Sequence, residues 1–416
     1  MRLQQLELTQ FKGIELLQIP FNGKSTVMYG INGVGKSSVL TAINILFSRL
    51  IPRISRYNPA LSLGDTDISY GSVFTKIKGE FLFDDNEPIT YHREYDKRKD
   101  KRTHNARSLK EFSDHFCSLY LDEDSPYSNM PIFTSYGVNR SVLDVPLRIR
   151  TTHSFDNREA AFENSIQSKV DFRLFFEWFR ERESFELRKM QETRSFEYKD
   201  VVLEAVRKAC VSMLPGFDNM RIMHSPLRMV IDKDDVTIRI EQLSDGEKCT
   251  IALFGDLARR LSIANPNMEN PLLGGGIVLI DEIELHMHPA WQRTVIDTLH
   301  TTFPNVQFII TTHSPQVLGG IPSDYNMFRL VHDGTSIQCV RTKPGYYDTN
   351  LVLEDYMGAP SVDPRVGELE TELLFNIQAK QFDRARLLLS ELRKMTNGTS
   401  PTITEAEILL RRGDNS

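Results

Sequence analysis

The sequence predicts an α/β fold with a mixed, largely parallel sheet, an antiparallel β lobe, a helical lobe and a small helical C-terminal tail. Three observations carry the prediction. A glycine-rich stretch, Gly30 to Ser37, falls between a strand-like run at Thr26–Tyr29 and a segment in which Val39, Leu40, Ile43 and Leu46 recur at helical spacing. Apolar strand-like runs at 277–280 and 306–311 alternate with helical patterns at 249–263 and 291–299, the order expected of parallel strands joined by helices. Beyond about Tyr347 only helical periodicity remains.

The elements follow in order. Leu3, Leu6, Leu8 and Phe11 read as short strands, and Phe21-Asn22-Gly23-Lys24 as a turn before the glycine-rich stretch. Residues 71–95 read as further strands around Val73, Phe74 and Ile77, 81–83 and 89–91, with Asp84-Asp85-Asn86 as a hairpin turn. Residues 93–110 hold eight Lys or Arg against three acids, a local net of +5. That stretch reads as a solvated hairpin tip or as a contact for nucleic-acid phosphates. From 159 to 214 the pattern is helical, with Phe172, Phe175, Phe176 and Phe179 on one face and Pro215-Gly216 as the stop. Residues 219–241 return to strands, turning at 232–235. In the tail, Val366, Leu369, Leu373 and Ile377, then Phe382, Ala385, Leu388, Leu392 and Met395, give two amphipathic helices. Thr404 with Glu407 would cap a third that ends near Gly413.

Composition narrows the function. The chain has 416 residues, 40% hydrophobic and 25% charged, with a formal net charge of −6, which suits two or three globular domains and excludes a globally basic nucleic-acid coat. Cys117, Cys210, Cys249 and Cys339 form no CxxC pair, so reduced thiols and a cytoplasmic home are expected. No stretch approaches the roughly 18 apolar residues of a membrane span, and the first residues lack a signal-peptide core, so no membrane partner is expected.

Gly30-Ile31-Asn32-Gly33-Val34-Gly35-Lys36-Ser37 fits G-x-x-x-x-G-K-[ST] in full, between strand and helix as the mechanism requires. The glycines let backbone N–H groups turn toward phosphate, Lys36 reaches the β and γ phosphates, and Ser37 ligates magnesium, with Ser38 beside it at the helix start. Gly30, Asn32, Gly33, Gly35, Lys36, Ser37 and Ser38 are therefore the expected nucleotide contacts. Ile277-Val278-Leu279-Ile280-Asp281-Glu282 supplies the matching acidic strand end, with Asp281 as a magnesium ligand and Glu282 as the group that polarises the attacking water. Leu243-Ser244-Asp245-Gly246-Glu247 opens a helix. Ser244 there could cap that helix, or Ser244, Gly246 and Glu247 could form a second phosphate contact. His286 and His288 lack further metal-ligand partners and read as a turn rather than a metal site. The aromatic stripe of 172–178 reads as packing rather than a base-stacking platform.

The order of these motifs, closed by His313 after the strand at 308–311, resembles the ATP-binding heads of ABC-type ATPases. In such heads the serine of the signature loop reaches the γ-phosphate held by the other subunit, so the resemblance implies a head-to-tail homodimer or a higher oligomer around two ATP and Mg2+. His313 would be the switch histidine. Phe11-Lys12-Gly13, Tyr136-Gly137-Val138-Asn139-Arg140, the run from Asp281 to Pro289 and Thr311-Thr312-His313-Ser314-Pro315 are more narrowly similar to the RecF/SMC-like branch called AAA-type-21 ATPases. That branch includes OLD-family nucleases and the PtuA ATPases of Septu and retron-linked antiphage systems, and the resemblance spans about residues 1–320. It implies a head over 1–345, made of a P-loop lobe (1–150 and 241–345), a helical insertion (151–218) and strands (219–240), followed by a helical module over 346–416. It also implies an ATPase that regulates a separately encoded effector, an HNH nuclease, in antiphage defence. The alternative is a RecF-like repair ATPase that binds DNA directly.

Two departures stand out. The Q-loop glutamine of ABC heads has no counterpart, since no Gln occurs from Ile19 to Ile166, which leaves Asn139 as a weak substitute, and Met287 stands where Leu is usual. The 103 residues after His313 contain no D-x-D pair for a Toprim site, so nuclease activity is expected in another chain. The span between Ser37 and Leu243 is too short for SMC-type coiled coils.

Overall fold

The computed structural model describes residues 1–57, 61–99, 101–104, 106–122, 129–138, 157–167, 170–334, 336–360 and 362–414. Two compact units divide at Tyr347 and Asp348.

The first unit is built on a six-stranded sheet in the order β14-β13-β3-β12-β11-β7, comprising β3 (Thr26–Tyr29), β7 (Ile132–Tyr136), β11 (Gly276–Ile280), β12 (Val306–Thr312), β13 (Asn326–His332) and β14 (Ile337–Thr342). Five strands run parallel and β14 is antiparallel. Every residue of β3, β7, β11 and β12 is buried, which explains their continuous apolar runs, because a parallel sheet is covered on both faces. A second, antiparallel sheet holds β1 (Arg2–Phe11), β2 (Ile14–Pro20), β4 (Phe74–Leu82), β5 (Pro88–Asp96) and β6 (Lys101–His104) in the order β2-β1-β4-β5-β6. Here alternate residues of β4 are buried, the pattern of a sheet packed on one face.

Helix α1 (Lys36–Ile54) starts at the end of the glycine-rich loop and is fixed by an aromatic cluster. Phe47 stacks on Phe133 of β7 at 3.5 Å between centroids and meets Phe81 of β4 edge-on at 5.4 Å, so one side chain joins both sheets. Phe81 continues to Phe112 of α2 (Ala106–Tyr120), also edge-on. Replacing Phe47 by Ala would cost about 3–5 kcal/mol at such a site. The sheets are also joined by the buried Gln307 amide, which accepts the Leu3 N–H at 2.7 Å and donates to the Leu3 carbonyl at 2.9 Å. It takes the place of a neighbouring strand residue, which leaves no buried backbone group unpaired there.

The helical lobe holds α3 (Phe172–Thr193), α4 (Val201–Val211) and the long α5 (Asp245–Ala264), next to a three-stranded sheet of β8 (Phe217–His224), β9 (Leu227–Lys233) and β10 (Val236–Arg239). Phe172, Phe175, Phe176, Trp178 and Phe179 are all buried, so the aromatic stripe is core packing. Helix α6 (Pro289–Thr302) links β11 to β12, and the single turn α7 (Pro315–Leu318) follows β12.

The basic stretch at 93–110 includes the expected hairpin tip, Lys97–Lys99 between the antiparallel strands β5 and β6, but it also runs back into β5 and on into α2. Arg93 is only 3% exposed and donates to the Ile45 carbonyl and Ser48 Oγ of α1, so it is a tie between sheet and helix. Lys97, Arg98 and Lys99 remain exposed, with Arg98 and Lys99 paired to Asp96 and Lys97 to Asp65. Asn139, the weak candidate for the missing glutamine's place, and Arg140 lie outside the described residues.

The second unit opens with a short turn, α8 (Thr349–Leu351), and then forms α9 (Pro364–Gln378), α10 (Phe382–Thr396) and α11 (Pro401–Asp414). Leu373, Ile377, Ala385, Leu388, Leu392, Ile403 and Ala406 make its core, at the spacing that the sequence predicted for the first two helices. The third helix starts earlier than Thr404. Pro401 is its first residue, Ser400 Oγ accepts the Thr402 N–H at 3.1 Å, and Glu407 pairs with Arg393 instead of completing a cap. Proline suits a first helical position because its missing N–H would have no partner there.

Candidate functional site: a phosphate-binding cavity

Three segments meet at the carboxyl end of the parallel sheet: the loop after β3, the turn after β11 and the turn after β12. A cavity of about 340 Å3 between them is lined by Asn32, Gly33, Gly35, Lys36, Ser37, Ser38, Asp281, Glu282 and His313. Nine residues singled out in the sequence, from motifs up to 281 positions apart, are thus brought together.

The loop needs its glycines. Gly30, Gly33 and Gly35 have φ of +149°, +82° and +94°. At Gly30 a Cβ would also lie 2.4 Å from the Leu330 carbonyl oxygen. The Lys36 ammonium folds back over the loop and donates to the carbonyls of Gly30 (2.9 Å) and Ile31 (3.0 Å). Burial lowers its pKa, against the opposing pull of Glu282, Asp281 and Glu284.

Across the cavity, Ser37 Oγ donates to Asp281 Oδ1 at 3.1 Å, and Thr311 Oγ1 donates to the same oxygen at 2.5 Å. Thr311 Oγ1 also accepts the Glu282 N–H at 2.9 Å, so one hydroxyl holds the two acids in order. Glu282 has φ of +46°, an uncommon left-handed conformation for a residue with a Cβ. Glu284 accepts the Thr312 hydroxyl (2.8 Å) and the His313 N–H (2.6 Å). Burial, and then the Lys36 charge, lower the His313 pKa, while Glu284, Glu282 and Asp281 oppose the shift. Hence the imidazole is biased toward its neutral form.

The second predicted phosphate contact lies elsewhere. Ser244 is exposed and is not among the residues lining this cavity. It caps α5: its hydroxyl donates to Glu247 Oε2 at 2.8 Å and accepts the Glu247 N–H at 3.4 Å. Burial pushes the Glu247 carboxyl up, but hydrogen bonds from Lys233 and Ser244 outweigh it and hold it below the usual range. Gly246 packs on the turn after β11, where a Cβ would lie 2.5 Å from the His286 carbonyl oxygen. His288 caps α6, with Nδ1 accepting the Ala290 N–H.

Behind the cavity lies a buried ionic network that the sequence reading missed. Asp256 Oδ1 accepts from Arg259 Nε and Nη2, and its Oδ2 accepts from Arg260 Nε (2.7 Å) and the Tyr136 hydroxyl (2.9 Å). All three charged side chains are essentially without solvent exposure. The carbonyl of Tyr136 accepts the Asp281 N–H at 2.8 Å, which connects this network to the acidic strand end. Thr311, Glu284 and Tyr136 all stand in segments quoted from the sequence, yet their roles depend on partners that only folding reveals.

The arrangement suits nucleotide and magnesium. Ser37 and Asp281 offer adjacent hard oxygens, and Lys36, Gly33 and Gly35 line a cavity of phosphate-binding chemistry. The family model AAA_21, described as "AAA domain, putative AbiEii toxin, Type IV TA system", matches residues 25–319. The "Retron Ec83 probable ATPase" of Escherichia coli is 31% identical over 385 residues, covering 78% of this chain and 70% of that protein. The "Retron Vc95 probable ATPase" of Vibrio cholerae serotype O1 biovar El Tor is 30% identical over 379 residues, covering 78% and 72%. "Septu protein PtuA" of Bacillus thuringiensis is 24% identical over 381 residues, covering 86% and 84%. Among solved structures, an SMC head bound to the C-terminal winged-helix domain of ScpA matches with a TM-score of 0.51 at 16% identity, covering 82% of this chain and 98% of that one, a likeness of fold. With its P-loop, acidic turn and His313 all inside the matched span, the chain belongs to the AAA_21 family.

Proposed function

We propose that this protein is an ATPase that pairs with a second copy of itself around two Mg2+-ATP and uses the paired state to control a separately encoded effector, an HNH nuclease, in antiphage defence. The observation that carries the dimer is the separation of Ser244 from the cavity lined by Lys36 and Asp281. An exposed serine at a helix N-terminus suits contact with an anion from outside its own head. The retron and Septu names of the relatives support the defence setting.

In this mechanism Lys36 exchanges its loop carbonyls for phosphate oxygens, and backbone N–H groups at the start of α1 would meet the β-phosphate. Ser37 and Asp281 would hold magnesium, which when bound would neutralise phosphate charge. Glu282 orients and polarises the attacking water, and neutral His313 donates its ring N–H toward the γ-phosphate side of the cavity. Ser244 reaches the partner's nucleotide, Gly246 lets its loop lie close, and Glu247 positions Ser244.

Three variants test the reading. Lys36→Ala should abolish ATP binding. Glu282→Gln should bind ATP, hydrolyse it slowly and accumulate as a dimer by light scattering, since only water activation is removed. Ser244→Arg should bind ATP as a monomer and fail to dimerise. A monomer hydrolysing ATP at the wild-type rate would refute the shared site, and normal turnover by Glu282→Gln would refute the role of Glu282.

A further inference from the structure

Glu284 follows the acidic pair by two residues, and it does not line the cavity. Its carboxylate nevertheless spans the two turns that build it. The left-handed backbone at Glu282 brings the chain back toward the end of β12, where the Ile283 N–H donates to the Thr311 carbonyl at 3.2 Å. Glu284 Oε2 then accepts from Thr312 Oγ1 and its Oε1 accepts from the His313 backbone N–H, the latter at 2.6 Å. Thr312 Oγ1 in turn accepts the Ser314 N–H at 3.0 Å, and Ser314 Oγ donates to Gln292 of α6 at 2.6 Å. The backbone on both sides of His313 is therefore held by bonds that begin at one carboxylate. Short N–H···O− and O–H···O− bonds of this kind are stronger than neutral ones and set geometry more tightly.

We propose that Glu284 is a positioning residue for hydrolysis: its carboxylate holds the His313 backbone so that the imidazole is aimed into the phosphate cavity. This rests on the reading of His313 as a γ-phosphate contact. Neither neutral nor shorter side chains can do the same work. A glutamine keeps one acceptor for the His313 N–H but presents an NH2 where the Thr312 hydroxyl now donates, and an aspartate falls one methylene short of both.

The test is a double-mutant cycle of ATP turnover with Glu284→Ala, His313→Ala and the pair, supplemented by Glu284→Gln and Glu284→Asp. Misplacing a contact group affects the chemical step more than nucleotide binding, so Glu284→Ala should lower kcat about tenfold or more, with KM for ATP within about twofold. Glu284→Gln should fall between it and the wild type. In the His313→Ala background the same Glu284→Ala change should have no further effect, because there is no imidazole left to aim. Additive losses in the cycle, or a loss confined to KM, would overturn the proposal. If Glu284→Ala does not fold, Glu284→Gln in both backgrounds gives the same cycle. An inactive wild type, or a His313→Ala protein as active as the wild type, would instead overturn the underlying reading of the site.

Discussion

Asp256→Asn probes the ionic network behind the cavity, and its cost can be worked from the structure. The carboxylate accepts four hydrogen bonds from Arg259, Arg260 and Tyr136, all at fully buried positions. Burial alone would raise its pKa, but Arg260 and Arg259 more than reverse this and hold it at about 2, against an ordinary 3.8. At about 1.4 kcal/mol per unit this depression corresponds to about 2–3 kcal/mol. Breaking a buried ion pair while leaving its partner costs about 3–5 kcal/mol, because the guanidiniums stay desolvated. Both routes place the loss near 3 kcal/mol, which urea denaturation should register as a lower midpoint. The pH dependence fixes the sign: a carboxyl depressed in the folded state stabilises fully above its unfolded pKa and loses that contribution as pH falls through about 2, so Asp256→Asn should flatten the acid limb below about pH 4. Tyr136→Phe, which leaves the ionic triad in place, should cost about 1 kcal/mol. The exposed Arg107–Glu111 pair sets the contrast, and Glu111→Gln should change stability by less than about 0.5 kcal/mol. An Asp256→Asn protein within about 1 kcal/mol of the wild type would refute the stabilisation assigned to this network.

Two further outcomes are expected. Gly246→Ala puts a methyl 2.5 Å from the His286 carbonyl, so it should displace the start of α5 and reduce ATP-dependent dimerisation while ATP binding by Lys36 persists; unchanged dimerisation by light scattering would show that the contact yields freely. Reversing Lys97, Arg98 and Lys99 to Glu should flatten the salt dependence of any nucleic-acid binding, by about 0.9 in log–log slope per lost duplex phosphate contact, while Arg93 is left alone because it is buried. An unchanged slope would assign these side chains only to their pairs with Asp96 and Asp65.

How legible each part was depends on where its partners lie in the chain. The P-loop is read directly because its chemistry is local: glycine conformations, one lysine and one helix start sit within eight residues. β11 and β12 are legible because burial on both faces demands apolar residues throughout. β7 is not, since Thr134 and Ser135 interrupt its apolar run. Their polar groups are satisfied from a distance, by Ser165 for Thr134 and by Asn44 for Ser135. Likewise α2 begins inside the basic stretch that ends at Lys110, which hid its start, although Leu109, Phe112, Phe116 and Leu119 follow helical spacing and are buried. Arg93 counted as surface charge in the sequence, and only the carbonyl and hydroxyl presented by α1 explain why it is inside.

The signature loop shows how one sequence pattern serves two physical demands. Ser244 and Glu247 are the reciprocal pair of a capping box, which by itself accounts for their spacing. Yet a cap does not require Gly246. That residue is explained by the His286 carbonyl lying against it, and His286 belongs to the turn that begins with Asp281 and Glu282. Within one head, therefore, the exposed Ser244 and the acidic residues of the cavity are parts of a single packed assembly, joined at Gly246 and again through Asp256 and Tyr136. If Ser244 meets a second head's nucleotide, any force on it is transmitted to Asp281 and Glu282 of its own cavity by contacts already present in the fold. The two sites of a dimer would then be coupled in hydrolysis, without a separate signalling element.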